Sequence, residues 1–277
     1  MWRTWAGGLA AAGIVFFWEV SPVDAEDAPF AAVYTAGTMP TGEVEFEQWT
    51  TWAWQKPGED FRAFEERSEV EYGVSDRFLL SVYANYSRTR IVPHDAGAPD
   101  GAADETKFDG FSAEAIYQVL DADRDSVGLA FYVEPGIGAG ARGLEGKVLL
   151  QKNFLDDRLI VAANFNLEYI WEREDHHWEH GSALEFHAGA SYRIAPLWFA
   201  GAELLNENVY RGHLIFSDNS HVATAFYAGP TLHYGDEWWL TLSALAQLPW
   251  GNGRVVEHGF ASNSERFRLI FRFGIEL

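Results

Sequence analysis

Glu43, Glu45 and Glu47 stand at alternate positions, and so do Glu65, Arg67, Glu69 and Glu71. A spacing of two is one face of a β-strand. Alternate residues on a strand lie about 6.8 Å apart at a rise of ~3.4 Å each, and neighbouring strands lie ~4.8 Å apart. Carboxylates so placed fall within one Debye length at physiological salt, ~8 Å, and act together. They attract cations and repel anions. Paired carboxylates can also serve as acid and base in glycoside hydrolysis. A surplus of Glu makes such pairs by chance, however, so no catalytic residue is assigned. A second concentration is Glu174-Asp175-His176-His177-Trp178-Glu179-His180. Asp175, His176, His177 and His180 are its candidate metal ligands, because imidazole with carboxylate suits zinc or nickel. Their spacing matches no structural zinc pattern, and the chain has no Cys to add thiolates. The plainer reading is an exposed polar loop that binds nothing specific.

The elements that must position these groups are strands. Two-residue alternation recurs from Thr41 to the C-terminus in twelve candidate strands, near 41–55, 61–74, 77–90, 107–120, 127–138, 143–154, 159–173, 181–194, 197–211, 222–234, 237–250 and 265–277. They exceed the five or six residues usual in soluble proteins and cover the roughly 9–11 that a membrane strand needs. Their apolar faces are continuous, as in Phe78, Leu80, Val82, Ala84 and Tyr86, or Leu159, Val161, Ala163, Phe165 and Leu167. In the last strand Phe267, Leu269, Phe271, Phe273, Ile275 and Leu277 share one face. The other carries Arg268, Arg272, Gly274 and Glu276, with Ile270 its lone large apolar residue. Trp52, Trp54, Tyr72, Trp198, Tyr234 and Trp238 gather near strand ends, as interfacial girdles do. Short turns such as 121–126 and 195–196 alternate with longer connections such as 91–106, 174–180, 212–221 and 251–264. The expected fold is all-β: a twelve-stranded antiparallel transmembrane barrel of the outer-membrane type.

The ends bound the rest. Residues 1–25 have the form of a secretory signal peptide, with Arg3, an uncharged apolar run from Trp5 to Trp18, and a cleavage site after Ala25. Residues 26–40 are expected to be a short periplasmic lead, and 41–277 the barrel. An even strand count places both termini in the periplasm and the chain in the cell outer membrane. The expected partners are outer-membrane lipids, the barrel-insertion machinery during assembly, and a small solute or cation. The net charge of -21 argues against nucleic acid. No cofactor is implied, since no Walker or dinucleotide glycine motif occurs.

Strand parity turns Glu43, Glu45, Glu47, Glu65, Glu69, Glu71, Glu114, Glu134, Glu145, Glu168, Glu172, Glu185 and Glu203 inward. The inward cations are fewer: Arg67, Lys147, Arg193, Arg268 and Arg272. Twelve strands tilted ~40° give a backbone radius of roughly 12 Å, so the lumen is narrow. Pairing leaves most carboxylates over, and unpaired carboxylates in a dry plug are costly. A wet, cation-preferring lumen is therefore favoured over a plugged one.

Two resemblances add to this. The terminal strand resembles the C-terminal signature strand of Gram-negative outer-membrane barrels. The segment Tyr34-Thr35-Ala36-Gly37-Thr38-Met39-Pro40, continuing into Gly42-Glu43-Val44-Glu45-Phe46-Glu47-Gln48-Trp49, and the turn Glu71-Tyr72-Gly73-Val74-Ser75-Asp76-Arg77-Phe78, look like a family of uncharacterised proteobacterial outer-membrane barrels labelled as transporters or porin-like proteins. That resemblance implies transport, without a substrate or site residues. Some outer-membrane barrels are lipid hydrolases and resemble one another in an Asn-His-x-Ser segment. Asn219-Ser220-His221 is the nearest string here, in the wrong order and spacing. The expected function is a narrow passive channel for small solutes or cations. Next comes a closed barrel whose His- and acid-rich loops bind a metal, ligand or partner. A lipid hydrolase is third, so the chain is not expected to be an enzyme.

Overall fold

The computed structural model describes residues 29–94, 102–174, 177–212, 220–235, 237–253, 256–257, 260–261 and 264–277. Twelve long strands form a closed antiparallel barrel: β1 (Val44–Lys56), β2 (Glu59–Ser75), β3 (Phe78–Pro93), β4 (Ala103–Leu120), β5 (Gly128–Ile137), β6 (Ala141–Phe154), β7 (Leu159–Glu174), β8 (His177–Ala195), β9 (Trp198–Arg211), β10 (His221–Gly235), β11 (Trp238–Gln247) and β12 (Phe267–Glu276). Each pairs with the next, and β12 also pairs with β1 from Glu45↔Glu276 to Trp54↔Phe267. Among the described residues closure leaves the barrel wall no unpaired edge, which a bilayer would not tolerate.

Alternation sets the faces. Val82 is 60% exposed and its neighbour Tyr83 1%; Phe131 is 51% exposed and Tyr132 3%. The outward face is apolar on every side, with Leu80, Val133, Phe165, Leu167, Leu242 and Phe271 among its exposed residues. Aromatic rings cluster at both ends of the belt. At one end Trp52 stacks on Phe64 (5.7 Å between centroids) and Trp54 on Phe267 (5.5 Å). At the other, Tyr234 lies 4.9 Å from Trp198 and 5.0 Å from Trp238. This is the double girdle that amphipathic rings form at membrane interfaces.

Two expectations change. The described residues of the connections 91–106 and 174–180 are largely strand: the β3–β4 ladder continues to Ile91↔Ala103, and β7–β8 to Glu174↔His177. Pairing outlasts the lipid belt because cross-strand partners such as Arg88 and Asp104 (3.2 Å) continue it. Between these two tall hairpins the β5–β6 turn at 138–140 is low, so the rim is uneven.

The larger change concerns the lead. Its described part, from Pro29 to Pro40, does not trail away from the barrel but lies inside it. Phe30, Ala31, Val33, Ala36 and Met39 are all at most 1% exposed. Phe30 and Val33 pack against Ile160, Ala162 and Phe199. Ala36 and Met39 pack against Leu79, Ile116, Ala130, Tyr132 and Leu149. Ala31 joins Leu205, Tyr227, Leu245 and Ile270. The inner wall thus carries apolar patches that parity alone presents as part of a polar face, and Ile270 belongs to one of them. Most of these contacts lie toward the short-turn ends of the strands.

Candidate functional site

The lumen is built in two storeys. In the lower one, the chain from Ala31 to Ala36 runs through a ladder of side chains from the wall. Glu203 accepts from the N–H of Ala31 (3.1 Å) and of Ala32 (2.7 Å). Asn164 both accepts from the Tyr34 N–H and donates to the Tyr34 carbonyl, each at 2.8 Å. Gln151 accepts from the Ala36 N–H (3.0 Å), and Gln118 donates to the Ala36 carbonyl (3.1 Å). These side chains stand in for a neighbouring strand, satisfying backbone groups that burial would otherwise orphan.

The segment enters over the β2–β3 turn. Gly42 donates to the Gly73 carbonyl (2.7 Å) and Gly73 to that of Glu43 (3.0 Å). A Cβ at Gly73 would lie 2.0 Å from the Pro40 carbonyl oxygen, so only glycine allows the crossing. Thr41 donates to the Asp76 carboxylate from its hydroxyl and from its N–H (3.2 Å). Those bonds hold the exposed Asp76 carboxyl below its ordinary range.

Above the segment sits a network of charges and rings. Tyr34 lies 5.3 Å from Tyr132 and 5.9 Å from Trp49, with the Lys147 ammonium 4.2 Å over its ring. Arg272 Nη2 donates to both Glu47 carboxylate oxygens, at 2.9 and 3.1 Å, and the guanidinium stacks 3.6 Å over Trp49. Arg67 pairs with Glu134 at 2.6 Å and stacks on Tyr83 at 3.9 Å. Arg268 pairs with Glu207 and Glu265. Its guanidinium lies 4.0 Å over the Tyr227 ring, so each of the three is matched with carboxylate and ring together.

The residues singled out from the sequence divide accordingly. Glu45, Glu47, Glu69 and Glu71 are buried on the inner faces of β1 and β2, with Arg67, Arg268 and Arg272 beside them or across the lumen. Glu43 is not part of that wall: it precedes β1 and is exposed at the rim. Glu65 lies in the upper storey, a cavity of about 570 Å³ also lined by Asp109, Glu145, Glu168 and Glu172. Asp175 and His176 lie outside the described residues, as does Asn219. His177 and His180 are on β8, not in a loop. Three residues apart on a strand, they face opposite ways and do not converge. His221 Nε2 is hydrogen-bonded to Thr224 Oγ1 (3.0 Å).

Sequence reasoning passed over Gln118, Gln151 and Asn164, which hold the inner segment, and Glu207 and Glu265, which hold Arg268. Parity places all but Glu265 inward. What could have singled out the first three is their type: neutral amides on a face otherwise rich in carboxylates.

The model of a family described as "Family of unknown function (DUF6662)" matches residues 22–270. No curated protein matches the chain. The fold is similar to the crystal structure of the COG4313 outer membrane channel from Pseudomonas putida F1, with a TM-score of 0.61 and 12% identity over 87% of this chain and 98% of that one. It is also similar to the NanC porin, with a TM-score of 0.50 and 10% identity over 83% and 97% of the two chains.

Proposed function

We propose that this chain, which belongs to the family DUF6662, is an outer-membrane channel for small solutes or cations, closed at its short-turn end by its own residues 29–40. The observation that carries the reading is the division of the lumen. An acidic vestibule lined by Glu65, Glu145, Glu168 and Glu172 stands above a segment held by hydrogen bonds rather than by the covalent continuity of the wall. Carboxylates around a narrow entrance raise the local cation concentration. The segment beneath them blocks the path, so passage requires that it move aside. The likeness to an outer-membrane channel and a porin supports this reading at the level of the fold.

Planar-bilayer recording of the chain from residue 26 and of a chain starting at residue 41 tests it. The first should conduct rarely or in small steps. The second should give larger, persistent steps and a cation-selective reversal potential in a KCl gradient. Two silent proteins would overturn the channel reading and leave the closed barrel. The proposed orientation, with long connections outward and both termini periplasmic, is tested on intact cells. Protease should cut within 251–264 and spare 121–126.

A further inference from the structure

The register of β1 and β2 sets Glu47 directly opposite Glu69 and Glu45 opposite Glu71. Like charges in directly opposed positions destabilise a sheet, and these are buried, with Glu47 4%, Glu69 0% and Glu71 7% exposed. The wall answers part of the problem. Glu45 accepts from Trp239 Nε1 (2.8 Å), Glu69 Oε2 from Trp49 Nε1 (3.1 Å), and Glu47 from Arg272 Nη2 (2.9 Å). The other Glu69 oxygen, Oε1, is fully buried and has no hydrogen-bond partner among the described residues. Carboxylate oxygens of Glu47, Glu69 and Glu71 all lie within 4.8 Å of one another.

From this geometry we infer a site for one divalent cation, of the calcium type, held by Glu47, Glu69 and Glu71 on the inner wall. The donor set is all oxygen, which selects a hard cation over zinc or copper. Calcium binds oxygens at roughly 2.3–2.6 Å, so two ligands of one ion can be no more than about 5 Å apart, and the three carboxylates here satisfy that limit. Three carboxylates less the one guanidinium on Glu47 leave two negative charges, matching a divalent ion. Arg67, the next cation along the wall, is engaged by Glu134. Magnesium keeps its waters and demands octahedral geometry, which a pocket this closed does not favour. The ion would tie β1 to β2 beside Trp49, against which Tyr34 of the inner segment rests. The site stands whether or not the barrel conducts.

Terbium(III), a calcium-like ion whose emission indole excitation sensitises, is the probe, because Trp49 is bonded to one of the ligands. The chain from residue 26, folded in detergent and stripped with a chelator, should show saturable emission at one ion per barrel. Calcium should displace it. Glu69→Gln and Glu71→Gln should each weaken binding by roughly tenfold or more, since even outer-shell partners of metal ligands are worth that much. Glu43→Gln, exposed at the rim and outside the wall, should leave binding unchanged. Heat-modified gel mobility reports which variants fold. A calcium-dependent rise in the wild-type unfolding temperature gives a second readout if a variant does not. The proposal is overturned if emission does not saturate, if Glu69→Gln and Glu71→Gln bind as the wild type does, or if calcium leaves the unfolding temperature unmoved. Each of those outcomes points instead to a proton shared between the carboxyl groups.

Discussion

In the short-turn half of the lumen Gln118, Gln151 and Asn164 face the axis as neutral amides; in the long-loop half Glu65, Glu145 and Glu168 face it as carboxylates. An amide both donates and accepts, so it can match a peptide N–H and a peptide C=O. Asn164 does both for Tyr34. An ionised carboxylate only accepts. The carboxylate in the lower half that touches the segment's backbone, Glu203, meets N–H groups alone. A buried chain therefore rests where the wall offers amides and apolar patches and where the nearby carboxylates Glu47 and Glu69 are taken up by Arg272 and Trp49, and it stops below Glu65, Glu145 and Glu168. The comparison teaches that an inward polar face is not one kind of surface.

The largest test removes the main apolar anchor of the segment. Phe30 is fully buried, so Phe30→Ala should cost about 3–5 kcal/mol in urea unfolding of the chain from residue 26. Because the chain has no Cys, a single Ala36→Cys reports the segment's position. Its labelling should be slow in the parent and fast with Phe30→Ala. Slow labelling in both would mean that Phe30 does not hold the segment.

Next in size is a paired test of the wall. Phe271→Arg faces lipid and should cost roughly 2–4 kcal/mol near the midplane. Parity alone makes Ile270→Arg cheap, as a lumen substitution. The packing of Ile270 with Tyr227 and Leu245 makes it comparably costly. An inexpensive Ile270→Arg would show that this inner patch is wet.

Smaller again is the exchange of amide for apolar group. Asn164→Leu removes two hydrogen bonds to Tyr34, each worth a net of about 0.5–1.5 kcal/mol, and should cost about 1–3 kcal/mol in all, read by unfolding. Asn164→Asp keeps the acceptor and opposes the Tyr34 carbonyl with charge, so it too should speed labelling of Ala36→Cys. Glu168→Gln, in the upper half, should not. If the two changes behave alike, the contrast between the halves fails.

The smallest effect is the latch at Asp76. Its carboxyl titrates below the ordinary Asp value because Thr41 donates to its charged form. A depressed folded-state pKa contributes stability above the unfolded value, about 4, that is lost as pH falls through the folded one. Labelling of Ala36→Cys should therefore quicken as pH drops below about 4. Asp76→Asn should abolish that dependence.

Much of this barrel was legible before any coordinates. Alternation in Phe78 to Tyr86 and Phe267 to Leu277 specifies strand and lipid face together, because period, apolarity and length are local properties of the chain. Strand parity also identified Glu45, Glu47, Glu69, Glu71, Arg67, Arg268 and Arg272 as inward. It misplaced Glu43, one residue before the strand begins, and it left Asp175 to His180 as a loop where pairing in fact extends the strands through His177 and His180.

What the sequence by itself determined is the wall: which residues alternate, and so which face lipid and which face the axis. What only the tertiary structure decided is the content of the lumen. Pro29 to Pro40 carries no period, since it pairs with no strand and its backbone is satisfied by Glu203, Asn164, Gln151 and Gln118 from four different strands. Those partners lie 82 to 172 residues away in the chain. Such contacts exist only once the barrel has closed around them, so nothing in the local pattern of either partner announces the other.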